Sequence, residues 1–106
     1  MDKLYTELLS KVKEHRYTLV ANTVKEENSF SISGEKASIP FLVEVRRADT
    51  DKLAVRIVTN KKLTITLEFT TNIDDLTART ILRALTRGVN IIDDMYDILY
   101  GSSLVV

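Results

Sequence analysis

A chain of 106 residues, 44% hydrophobic and 28% charged, has the size and apolar content of one globular domain with a single core, not the composition of a disordered chain. Fifteen basic and fifteen acidic side chains cancel to a formal net charge of zero, so no global field draws the molecule to nucleic acid or an anionic membrane, and either role needs a local patch. The absence of cysteine excludes disulfides, thiolate catalysis and cysteine-ligated metals.

The chain opens on MDKLYTELL, which turns amphipathic at once and carries no apolar signal core. No stretch reaches the ~20 apolar residues of a membrane span, so the expected address is cytoplasmic, with no membrane partner. Glutamine is absent as well as cysteine, a composition that fits a thermophilic source. Leu4, Tyr5, Leu8, Leu9 and Val12 recur at helical spacing, with Asp2 placed to cap and Lys11, Lys13 and His15 towards the end. This predicts a first helix over about residues 3 to 15.

The period then changes to two. Tyr17, Leu19 and Ala21 share one side, Phe30 and Ile32 follow, and IPFLVEVRR, KLAVRIVT and KLTITLEFT come after them, each rich in β-branched residues and bounded by polar turns. Five strands with short links predict an antiparallel meander. Its inner face carries Phe41, Val43 and Val45, then Leu53, Val55 and Ile57, then Leu63, Ile65, Leu67 and Phe69. The link Asn60-Lys61-Lys62 sets Ile57 opposite Ile65, and the outer face can pair Glu44 with Arg56. Gly34, in SISGEKAS, reads as a turn residue.

The last third is helical, opened by TTNIDD, with Ala78, Ile81, Leu82, Leu85, Val89, Ile92, Tyr96 and Leu99 on one stripe. Local signals favour a break or sharp kink near Gly88: Arg87 would end one helix before a C′ glycine, Asn90 would cap the next, and Asp93 and Asp94 would fall in its first turn. The apolar stripe runs through this point in phase, which leaves one helix or two open. The expected architecture over residues 1 to 106 is therefore a single α+β domain: N-terminal helix, five-stranded antiparallel meander and C-terminal helix, whole or broken near Gly88, with the helices on one sheet face.

The chemistry-bearing patterns are few. His15, the only histidine, sits at a helix end where a ring commonly caps, and no phosphate-cradling or nucleophile-elbow string is present. The stretch DDMYD matches the D-D-x-x-D string with which helical prenyl diphosphate synthases hold magnesium, but that site needs an all-helical cavity and a second acidic motif, and this chain has neither. No catalytic residue, cofactor or metal site is expected.

What remains is a charge pattern: Arg79, Arg83 and Arg87, then Asp93, Asp94 and Asp97. Its plain reading is a solvated helix face. Its sharper reading is self-complementarity, because two antiparallel copies related by a two-fold axis near residue 88 bring Arg79 towards Asp97 and Arg83 towards Asp93 or Asp94. The tail adds Leu104, Val105 and Val106, which either dock on the domain or join a neighbour's sheet edge. The expected function is a non-enzymatic interaction or assembly domain whose partner is a second copy or another protein. The alternative is a nucleic-acid-binding protein with a basic patch of Arg46, Arg56, Lys61, Lys62, Arg79, Arg83 and Arg87. Against it, the outer sheet face has no aromatic ring on which a base would stack.

Overall fold

The computed structural model describes residues 2–20, 24–70 and 74–96. Helix α1 spans Asp2–Glu14 and buries Leu4, Leu8 and Val12 completely, the i, i+4 row that the sequence pattern required. It ends in a Schellman arrangement: the Arg16 amide donates to the Lys13 carbonyl (3.1 Å) and the Tyr17 amide to the Val12 carbonyl (3.2 Å). Arg16 supplies the left-handed residue, φ 63°, where glycine is usual. His15 caps as expected, its Nδ1 lying 2.9 Å from the Lys11 carbonyl.

The strands are β1 (Thr18–Leu19), β2 (Val24–Lys25), β3 (Ser29–Lys36), β4 (Ile39–Asp49), β5 (Lys52–Thr59) and β6 (Leu63–Phe69). They form one antiparallel sheet in the order β1-β3-β4-β5-β6, with β2 also on the free side of β3. Six segments thus fill five positions. Thr18 faces Glu35 while Val24 faces Ser31, so the first strand of the meander slips register between its two short pieces. Ala21, expected in that strand, lies outside the described residues.

The last three strands pair as their alternation dictates: Ile57 faces Ile65, Val55 faces Leu67, and Glu44 faces Arg56 with an ion pair of 3.2 Å. Two turns carry left-handed residues that are not glycine. Ala37 and Ser38 (φ 51° and 67°) close β3 on β4, and Asn60 and Lys61 (φ 54° and 57°) close β5 on β6. Gly34 serves no turn. It lies in β3 opposite Leu19 and Phe41, and a Cβ there would run into the Thr18 carbonyl oxygen, so glycine lets the edge strand approach closely.

Helix α2 spans Asp74–Tyr96 without interruption, which overturns the expected break at Gly88. Gly88 is buried, and a Cβ on it would stand 3.1 Å from Thr59 Cγ2 and 3.2 Å from Thr59 Oγ1. The glycine lets the helix settle on β5, and the tertiary contact outweighs the local capping signals. Thr77 and Gly88 join the buried stripe, whereas Tyr96 is exposed, its hydroxyl 2.6 Å from Asn60 Nδ2, and Leu99 lies outside the described residues.

Both helices cover the inner sheet face, where the core gathers Leu4, Leu8, Ile32, Val43, Ile57, Ile81 and Leu85, all fully buried. Each such side chain contributes about 1.5–3 kcal/mol by leaving water. Helix α1 follows β3, from the Tyr5–Phe30 ring contact to the Lys36 ammonium that donates to the His15 carbonyl at 2.7 Å. Helix α2 runs towards the Asn60 turn and extends past the end of α1, where the Tyr17 hydroxyl meets Thr86 Oγ1 at 3.0 Å.

Candidate interaction surface

The outer face of α2 is where the charge pattern lies. Arg79, Arg83 and Arg87 are all exposed there, as are Asp93 and Asp94, and Leu76 (54% exposed) and Ile91 (41%) add apolar surface among them. Asp75 holds two cations: Lys11 of α1 at 3.0 Å and Arg79 one turn on. Hydrogen bonds from Lys11, then Arg79, hold its carboxyl below the ordinary aspartate range. Arg79 is therefore already engaged, while Arg83 and Arg87 have no ion pair among the described residues. Asp97, Leu104, Val105 and Val106 lie outside the described residues.

An open groove of about 710 Å³ separates the end of α1 from α2, and Glu14, His15, Leu82, Arg83, Thr86 and Asp94 are among its walls. Its charges are mixed in sign and exposed, so it offers neither a concentrated anion site nor a dry cavity for chemistry. Among the described residues, no three His, Asp or Glu side chains gather in a way that could hold a metal ion.

The seven basic residues of the nucleic-acid reading divide between two sides of the molecule. Arg46 and Arg56 project from the open sheet face, Lys61 and Lys62 occupy the β5–β6 turn, and Arg79, Arg83 and Arg87 line the opposite, helical side. Arg56 is occupied by Glu44, and Lys52 lies 3.9 Å from Glu68. The rings of Phe30 and Phe41 are buried on the inner face, away from the open one.

The feature that sequence reasoning passed over is the edge strand β6. Along β5 the inner row Leu53, Val55, Ile57 and Thr59 is at most 3% exposed. One strand further out, Leu63, Ile65, Leu67 and Phe69 pack against the core yet stay partly exposed, because α2 does not extend over their outer side. The strand pairs only with β5 among the described residues, so its outer backbone donors and acceptors have no partner there. Natural edges are blunted by proline, bulges, short length or charge. The opposite edge is broken into two short pieces, but β6 pairs without a register shift over seven residues and carries a single charge, Glu68. The signal was present in LTITLEF, which ends the meander with no blunting residue before Glu68. Comparison with protein-family models, curated proteins and solved structures finds no match.

Among the described residues, no helix is long and apolar enough to cross a membrane.

Proposed function

We propose that this domain works by protein contact without catalysis, and that it assembles with a second copy of itself. The observation that carries the reading is β6: an unblunted edge whose inner apolar row is only partly covered. A strand of this kind gains by pairing, since each outer amide and carbonyl exchanges water for a backbone partner while the exposed part of the row leaves water. The outer face of α2 supports the same reading through Arg83 and Arg87, which are free of partners among the described residues, and through Asp93 and Asp94 further along the helix.

The nucleic-acid alternative loses support from the separation of its basic residues, since no one groove or face gathers all seven. Light scattering on the full chain, with and without a pool of nucleic acid, tests the two readings together. The proposal expects a mass of twice 12.0 kDa in the micromolar range, unchanged by the pool. A monomer that shifts to larger particles only when nucleic acid is added would reverse the ranking.

A further inference from the structure

We infer that two copies join through β6 in antiparallel register about a two-fold axis at Thr66, an inference that rests on the self-assembly reading above. The first argument is overlap: any residue-centred antiparallel pairing of a strand with itself keeps like faces together, and centring it on Thr66, the middle of Leu63–Phe69, pairs all seven residues. An antiparallel strand pair centred on Thr66 sets Ile65 against Leu67 and Leu63 against Phe69 of the other copy, so apolar inner-face side chains meet only their own kind. On the open face Thr66 meets itself and Thr64 meets Glu68, which keeps the two Glu68 carboxylates apart. Lys62 then stands diagonal to Glu68 of the second chain, a pairing of opposite charge on the same face.

The second argument comes from α2, whose course decides which of its flanks meets the second copy. Gly88 lies over Thr59 and Ile65, and Tyr96 reaches Asn60 in the β5–β6 turn, so α2 runs antiparallel to β6. One step along β6, from Ile65 to Thr66, is ~3.4 Å and corresponds to about two residues back along a helix that rises ~1.5 Å per residue. An axis through Thr66 therefore passes level with α2 near residue 86. Arg83 and Asp94, within about 20° of each other on the helical wheel, line the groove beside α1 and so face away from this axis.

The flank of α2 beside the axis carries Thr80, Ala84, Ile91 and Met95, with Ile91 and Met95 about two-fifths exposed (41% and 42%). Stable interfaces bury about 800 Å² per partner, more than a strand edge ~24 Å long supplies alone. The strand fixes register, and the partly covered row with this helix flank adds area. The result is one continuous sheet with all four helices on the same side.

The absence of native cysteine allows a direct test. On a two-fold axis a residue meets its own copy, and directly opposed Cα atoms at ~4.5–5.5 Å suit a disulfide. Under mild oxidation with oxidised glutathione, full-length Thr66→Cys should convert to a covalent dimer. Thr64→Cys alone should not, but mixed with Glu68→Cys chains it should give the crossed dimer. A covalent dimer from Thr64→Cys alone, or a chain that scatters as a dimer yet fails to cross-link at position 66, overturns the register and leaves self-assembly standing. A monomer by light scattering, with no cross-link at either position, overturns both.

Discussion

Gly88→Ala tests the close approach of α2 to the sheet, and its sign depends on a single neighbour. In a helix interior the change from glycine to alanine gains about 0.8–1.0 kcal/mol through backbone entropy. Here the new methyl would stand 3.1 Å from Thr59 Cγ2 and 3.2 Å from Thr59 Oγ1, with Ile65 Cδ1 next at 3.5 Å, an ordinary contact. Thr59 is fully buried and β-branched in a paired strand, so it has little freedom to turn aside. Overpacking of this kind costs about 1–3 kcal/mol, which leaves Gly88→Ala destabilising by ~0–2 kcal/mol. Thr59→Ala removes both close atoms and also the one buried hydroxyl without a hydrogen-bond partner among the described residues. In that background Gly88→Ala should stabilise by about 1 kcal/mol, for a coupling of ~1–3 kcal/mol. Urea unfolding followed by circular dichroism at one fixed protein concentration measures all four corners of the cycle. Additivity within about 0.5 kcal/mol would mean that helix and strand do not meet at this point, and the reasoning from Gly88 would fail.

Three further outcomes follow from particular residues. Arg16→Gly, and separately Ala37→Asn with Ser38→Gly, relieve left-handed strain without touching the core, and each should raise stability by about 1 kcal/mol in the same urea assay. The Asp75 carboxyl is held low by Lys11 and Arg79, so its contribution is present above the ordinary aspartate value of 3.8 and disappears as the pH falls below it; Asp75→Asn should flatten that part of an acid unfolding curve, and an unchanged curve would count against the pairing. Arg83→Asp, alone or with Asp93→Arg and Asp94→Arg, should leave the β6 dimer intact in sedimentation, since these side chains lie away from β6, and a weakened dimer that the added changes restore would place the contact on the outer face of α2. Each exposed pair contributes ~0–1 kcal/mol, so that swing would be several-fold in the dissociation constant rather than all or none.

The middle of the fold was legible because two constraints agreed there. Alternation within Phe41–Val45, Leu53–Ile57 and Leu63–Phe69 fixes which face is buried, and a turn as short as Asn60-Lys61-Lys62 leaves one register between the last two strands. Glycine was the weak point, because the same residue answers different needs. Gly34 read as a turn and Gly88 as a helix stop, yet both permit a close approach between elements, to Thr18 and to Thr59, and neither partner is near in sequence. The turn beside Gly34 falls instead on Ala37 and Ser38, residues that rarely take a positive φ. The arginine and aspartate face of α2 was visible as a helical period. The β6 edge was not recognised as a surface, because exposure of its inner row depends on how far α2 reaches across the sheet, a tertiary quantity that alternation does not encode.

Amide hydrogen exchange of β6 across a dilution series addresses the central claim most directly. If β6 is the assembly edge, the amides of residues 63–69 that do not bond to β5 are protected at high concentration, and they lose that protection over the same dilution at which the scattered mass falls from twice 12.0 kDa to the single-chain value. Exchange in β6 that is independent of concentration, beside a mass that still changes on dilution, would place the contact elsewhere and contradict the account.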